Sequence, residues 1–213
     1  MSLPPQFDQD FRHKLDNLFK WRRDVRRFLS TSISGNELQA IIDSTMYAPS
    51  VGLSEPWRIV IVEQTIIRRQ IYENFLKCNA DALSSYRGAQ AQHYAQLKLE
   101  GLCSAPVQLA IFNDDSTKQG HRLGRRTMPE TLVYSTIMAI HTMWLSARAR
   151  NIGLGWVSIL DPSAISLILD IPSTWRFIAY LCLGYPEHES HQPALEREGW
   201  QQRETSQRRI LYR

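Results

Sequence analysis

Cysteine is scarce in this chain, and long apolar runs are missing. Cys78, Cys103 and Cys182 are odd in number and far apart. With no CxxC pair and no Cys/His ligand spacing, they argue against a disulfide framework or a structural zinc site. Reduced thiols fit a cytoplasmic protein. No stretch approaches bilayer length, and the N-terminus "MSLPPQFDQDFRHKL" lacks the apolar core of a signal peptide, so no membrane association is expected. There is no internal repeat and no low-complexity linker. The 213 residues are read as one domain, 1–213, with about 1–10 and 201–213 as terminal extensions. A surplus of one charge is also lacking: 25 Lys and Arg stand against 21 Asp and Glu, a net +4. That balance does not suggest a nucleic-acid partner, which calls for basic residues gathered into a broad patch. "GLGW" has two glycines but no third at dinucleotide spacing, so a nicotinamide fingerprint is missing too.

What is present is a succession of helical and strand patterns. Phe11, Leu15, Leu18 and Phe19 recur at helical spacing and predict an amphipathic helix ending at Trp21. Ser34 followed by Glu37 forms a capping-box signature, and Pro49 stops that helix at Ala48. "WRIVIVE" predicts a buried strand, and Thr65 to about Cys103 one or two helices interrupted near "SSYRGAQ". "PVQLAIFND", "GLGWVSIL" and "WRFIAYLCLGYP" predict three further strands. Glu130 to Arg150 is a helix apolar on more than one face, hence central or at a subunit interface. Asp161 and Pro162 cap and open a short helix. Between the second strand and the long helix, "DDSTKQGHRLGRR" is a polar, glycine-containing loop and a candidate lid. The polar tail cannot build its own core, so it frays or embraces another subunit. Strands separated by helices give one domain with helices covering a small sheet.

The basic residues gather at "WRRDVRRF" and in the tail. An extended backbone there places Arg22, Asp24 and Arg26 on one face and Arg23, Val25 and Arg27 on the other. Guanidinium forks suit a phosphate or a carbonyl-rich ring, and flanking positive charge favours a carboxylate able to accept protons. The competing reading is a surface lattice of ion pairs. In "APSVGLSEPW", Ser50 offers a hydroxyl and the turn offers N–H groups, while Trp57 anchors the following strand. His188 and His191 in "HESH" have a metal-compatible spacing without a supporting pattern, so no metal is expected, and His141 reads as a core histidine.

"RRDVRRF" followed by "APS…PW" resembles the flavin-binding nitroreductase family. With "LKLEG", "GRRTMPE", "GLGWVSILDP", "AYLCLGYP" and "LEREGW", nearly the whole chain is similar to a flavin-fragmenting branch of it. The resemblance implies an α+β, nitroreductase-like fold with a small mixed sheet covered by helices, and a homodimer with an extended C-terminal tail. It implies FMN, in reduced form, as substrate and dioxygen as co-substrate. The products would be 5,6-dimethylbenzimidazole, the lower ligand of vitamin B12, and erythrose 4-phosphate. A separate flavin reductase would supply the reduced FMN. Asp24 would be the acid/base group, and Ser158 would position the ribityl chain. The FMN-binding set would comprise Arg22, Arg23, Asp24, Val25, Arg26, Ser50, Leu99, Gly155, Val157, Ser158 and Arg197. Glu55 departs from the neutral amide usual in the wider family, and its charge would matter only if it faced the flavin. Two alternatives remain: an oxidoreductase that retains FMN and takes electrons from NAD(P)H, and a non-catalytic FMN-binding protein.

Overall fold

In the computed structural model, which describes residues 4–204 and 210–213, four strands form one sheet in the order β1-β2-β4-β3. They are β1 (Trp57–Ile61), β2 (Val107–Asp114), β3 (Gly153–Val157) and β4 (Trp175–Gly184). Each ladder is antiparallel, pairing Trp57 with Asn113, Val107 with Leu183 and Gly153 with Gly184. The mixed character expected of the sheet reduces to one parallel bridge, Asp24 to Leu154, which lays the arginine segment along the free edge of β3.

The inner strands β2 and β4 alternate their side chains between two cores. Ala110, Phe112, Tyr180 and Cys182 pack with residues of α3 (Thr65–Ser84) and α6 (Pro162–Ile168). On the opposite face, Leu109, Ile111, Ala179 and Leu181 pack with α2 (Gly35–Asp43) and α5 (Thr131–Ala149). Strands covered on both faces carry continuous apolar runs, which is why these two stand out in sequence. β1 carries a similar run yet is an edge strand, half-buried from Trp57 to Val60 and exposed at Ile61, correcting the expected buried strand and the core role of Trp57.

Local chemistry sets the helix ends. Asp8 caps α1 (Gln9–Trp21) by accepting from the Phe11 N–H at 2.8 Å. Ser34 accepts from the Glu37 N–H at 3.2 Å, but the Glu37 carboxylate pairs with Arg150 Nε at 2.9 Å instead of closing the capping box. A short 3₁₀ turn, Ser44–Tyr47, follows α2 and ends at Ala48, whose ψ of 137° is the extended value imposed by Pro49. Asp161 caps α6 through the Ser163 and Ala164 N–H groups. α4 (Gly88–Gln96) is separate from α3, as the interruption predicts. His141, expected in the core, is exposed on α5.

Two further segments are placed by contacts within the chain. The candidate lid loop is fastened to the Ser50–Glu55 turn: a methyl on Gly120 would overlap the Gly52 carbonyl, and one on Gly52 would lie 2.9 Å from the Leu123 oxygen. Gln119 donates to the Leu53 carbonyl and to Glu55 Oε2, both at 2.9 Å, so the Glu55 carboxylate is engaged by the loop. The tail does not fray through Trp200. It forms α7 (Ala194–Arg197), and the Trp200 ring then packs edge-on against Tyr86 and Tyr94, at 5.6 and 6.1 Å, and against His93 at 5.5 Å. Of the expected extension 201–213, residues 205–209 lie outside the described residues.

The arginine segment is pinned by its two apolar residues. Val25 lies over Gly153 and Gly155: its Cγ2 is 2.8 Å from where a Gly153 Cβ would sit, and its carbonyl oxygen fills the corresponding place at Gly155. Phe28 is 2% exposed and wedged between Gly101 and Gly184. Backbone bonds secure both ends, Val25 N–H to the Leu154 carbonyl at 3.2 Å and Leu29 N–H to the Tyr185 carbonyl at 2.8 Å. Gly155→Ala is therefore expected to destabilise the protein by about 1–3 kcal/mol in urea unfolding. Gly35→Ala, in the first turn of α2 with nothing within 4 Å of the new methyl, is expected to be neutral or stabilising.

Candidate functional site

Asp24 uses both carboxylate oxygens. Oδ1 accepts from the backbone N–H of Trp156 at 2.9 Å, and Oδ2 from Arg26 Nε at 2.8 Å. In a continuing parallel ladder a backbone carbonyl would receive the Trp156 N–H; here a side chain substitutes and ends the pairing. Arg26 also donates through Nη1 to the Lys98 carbonyl at 2.9 Å, and its side chain is 17% exposed. It bridges the acid to the chain after α4. Asp24 and Arg26 thus share a face as the alternation predicts. Arg22 does not join them in that contact: its guanidinium lies 4.8 Å from the Trp144 ring centroid, a cation–π position that anchors the segment on α5.

Arg23 differs again. Its Nη2 donates to the Phe19 carbonyl at 3.0 Å, but its Nε is buried with no hydrogen-bond partner among the described residues. Burial is the main reason the Arg22 and Arg23 guanidiniums sit below their ordinary pKa. Arg203 pushes both further down; Arg22 does the same to Arg23, while Asp24 opposes the shift at Arg22. These are crowded like charges that an anion would relieve.

Two small clefts, 140 and 200 Å³, flank Ala194 of the tail and share Arg23, Asp24 and Arg26 in their walls. The first is completed by Arg27, Lys98 and, from the tail, Arg197. Lys98 is a site residue that sequence reasoning missed. Its ammonium pairs with Glu100, a carboxylate 5% exposed whose other oxygen takes the Leu102 N–H. The signal lay in "LKLEG": charges at alternate positions of an extended stretch fall on one side.

The remaining expected residues divide. Leu99 is not on a helix, which ends at Gln96, and it packs on the core beside the cleft-lining Lys98. Val157 is a core residue, 2% exposed, and Gly155 is buried beneath Val25. Ser158 is exposed just past β3, two residues from the Trp156 N–H that binds Asp24. Arg197 is exposed and lines the first cleft. Ser50 lines neither cleft; its Oγ accepts from the Glu55 N–H at 3.2 Å. A single chain therefore does not bring Ser50 to the arginine wall. Among the described residues no three His, Cys, Asp or Glu side chains are grouped to hold a metal, and no helix is long and apolar enough to cross a membrane.

A carboxylate held by two donors inside a wall of cations can accept a proton from an anionic ligand gripped by those cations. Residues 19–185 match the nitroreductase family, and the chain belongs to it. More particularly, it is 51% identical over 203 residues to the 5,6-dimethylbenzimidazole synthase of Rhodospirillum rubrum, covering 95% of this chain and 96% of that protein. It is 47% identical to the 5,6-dimethylbenzimidazole synthase of Rhodobacter capsulatus, covering 92% and 95%. Among solved structures, an iodotyrosine deiodinase bound to FMN and 3-iodo-L-tyrosine superposes with a TM-score of 0.70, at 23% identity over 83% of this chain and 91% of that one.

Arg26→Met leaves the Asp24 carboxylate and the Lys98 carbonyl without their shared donor. It is expected to cost about 2–3 kcal/mol in urea unfolding. Arg197→Met, at an exposed position, should stay within about 0.5 kcal/mol of the parent.

Proposed function

We propose that the protein fragments reduced FMN with dioxygen, yielding 5,6-dimethylbenzimidazole and erythrose 4-phosphate, with the pyrimidine part of the flavin ring leaving as a third fragment that accounts for the remaining carbon, nitrogen and oxygen atoms. The two relatives bearing the synthase name, at 51% and 47% identity over nearly the whole chain, support this reading. The observation that carries it is Asp24, a fixed carboxylate in a cleft walled by Arg23, Arg26, Arg27 and Lys98. The residues suit a flavin mononucleotide, because Arg23, Arg26, Arg27 and Lys98 line the cleft with cationic donors for its phosphate and its electron-rich reduced ring, and the buried Nε of Arg23 has no acceptor among the described residues.

Bound there, reduced FMN supplies the carbon skeleton of the product and the electrons that dioxygen takes up. Arg23, Arg27 and Lys98, with Arg197 from the tail, hold the phosphate and oppose negative charge on the reduced ring. Asp24 takes the proton of a ribityl hydroxyl, which carbon–carbon cleavage requires, and Arg26 keeps its carboxylate aligned for that transfer. The Ser158 hydroxyl both donates and accepts, so it holds the chain through a change of protonation. A separate flavin reductase renews the substrate, and the location is cytoplasmic.

The active form in this reading is a homodimer. Met46 (64% exposed), Tyr47 (81%) and Leu53 (70%), with Tyr134 and Met138 of α5, leave large apolar side chains on the α5 side of the sheet. Exposed apolar surface of this extent suits a second copy. A second copy also supplies the Ser50 turn that one chain cannot bring to its own cleft.

Anaerobic mixing of the full-length protein with chemically reduced FMN, then admission of air, is expected to give 5,6-dimethylbenzimidazole by mass spectrometry. Asp24→Asn should lower the yield at least about 100-fold with FMN affinity changed less than about two-fold. A flavin that survives repeated cycles of reduction and reoxidation would overturn the proposal in favour of an oxidoreductase that retains FMN. For the dimer, Tyr134→Glu with Met138→Glu is expected to shift the sedimenting species from dimer to monomer.

A further inference from the structure

A cavity of 510 Å³ lies away from the Asp24 clefts and shares no residue with them. Arg122, Arg125 and Arg126 stand around it, over an apolar floor of Pro129 and Leu132. Arg125 is fixed by donating from Nη2 to the Thr117 carbonyl at 3.0 Å. The guanidiniums of Arg122 and Arg126 have no hydrogen-bond or ion-pair partner among the described residues. Asp115, the one carboxylate in the wall, is engaged elsewhere. It binds Arg176 Nε at 2.9 Å as well as Nη2, and its Oδ1 accepts from Asn113 Nδ2 at 2.6 Å. The wall therefore carries a net positive charge, its three arginines outnumbering the one carboxylate, which is bound to Arg176.

The loop that presents these arginines is not a loose strand of surface charge. From Lys118 to Arg126 it contains Lys118, Arg122, Arg125 and Arg126 and no acidic residue. Its backbone is bent through positive φ at Gly120 (76°), His121 (49°), Arg122 (62°) and Gly124 (77°). The two non-glycine positions each carry a conformational cost of about 1–3 kcal/mol. Packing of Gly120 on Gly52, and the Gln119 bonds to Leu53 and Glu55, hold that conformation. A loop fastened in this bent form sets three arginines around one cavity, Arg125 half-buried and Arg122 and Arg126 exposed, and offers an anion several forked donors.

We infer that this cavity is a second ligand site, distinct from the Asp24 cleft, that binds a phosphate monoester of sugar size. Forked guanidiniums match the phosphate oxygens, and the Thr117 carbonyl bond keeps one fork in place. The volume exceeds what a bare phosphate fills and falls in the range of small-molecule pockets. The apolar floor faces the carbon skeleton. The inference does not depend on the flavin reading.

The test is an NMR titration of the full-length protein, first without and then with saturating FMN, following the arginine Nε–Hε signals. The probes are ribose 5-phosphate, inorganic phosphate and ribose. Saturable shifts of Arg122, Arg125 and Arg126 with ribose 5-phosphate are expected in both conditions, weaker with phosphate and none with ribose. Arg122→Asn with Arg126→Gln should weaken ribose 5-phosphate binding roughly ten-fold or more and leave FMN affinity unchanged. Asn is chosen because it tolerates the positive φ at Arg122. Absence of saturable shifts would overturn the site. Equal affinity for phosphate and ribose 5-phosphate would overturn the monoester assignment. Loss of FMN binding in the double variant would assign these arginines to the flavin site and overturn the claim of a second one.

Discussion

The Arg22–Phe28 segment runs along β3 because glycines on the protein side leave room for its backbone, and the candidate site depends on that approach. Val25 settles over Gly153 and Gly155, and Phe28 enters between Gly101 and Gly184. With the two apolar residues turned inward, Asp24 is delivered to the one N–H of the sheet edge that its carboxylate can take, that of Trp156. Any side chain at Gly155 would lift the segment and break this alignment. The charge run is thus neither a solvated lattice nor a free arm. It is a strand edge whose apolar residues fix the position of its polar ones.

Fixing the backbone also fixes the electrostatics. The three half-buried arginines of the segment each have a different local answer to burial. Arg22 rests on Trp144, Arg26 is shared between Asp24 and the Lys98 carbonyl, and Arg23 keeps a buried Nε without an acceptor among the described residues. Glu100, itself buried, holds Lys98 at the same wall. A buried guanidinium N–H without an acceptor, on a residue that lines a cleft, is a donor that a bound anion can satisfy. The Arg122–Arg126 loop follows a related design with backbone torsion in place of apolar pins.

Much of this was legible in the sequence, unevenly so. Helix starts at Ser34 and Asp161, the stop before Pro49 and the break between α3 and α4 were readable because each rests on contacts within a few residues. Strand positions were readable from composition, but "WRIVIVE" and "PVQLAIFND" look alike, and only the sheet order makes one an edge and the other a centre. The glycines of "GLGW" were expected beside a flavin. In the structure Gly155 faces Val25, a partner 130 residues away in sequence (155 minus 25), which no local pattern announces. Leu99 drew attention where its neighbour Lys98 lines the cleft, because alternation sends one inward and the other outward only once the stretch is known to be extended.

By itself, then, the order of residues determined the local elements, the arginine segment with its embedded carboxylate and the family likeness, since these are properties of neighbouring residues and of composition. Tertiary structure alone decided which arginines are anchors and which remain open, that Asp24 binds Trp156, and that the Lys118–Arg126 loop is locked onto the Ser50–Glu55 turn. The physical reason is distance along the chain. Burial, hydrogen-bond completion and steric exclusion at these positions are set by atoms tens to more than a hundred residues away, and no local pattern encodes which of them will arrive.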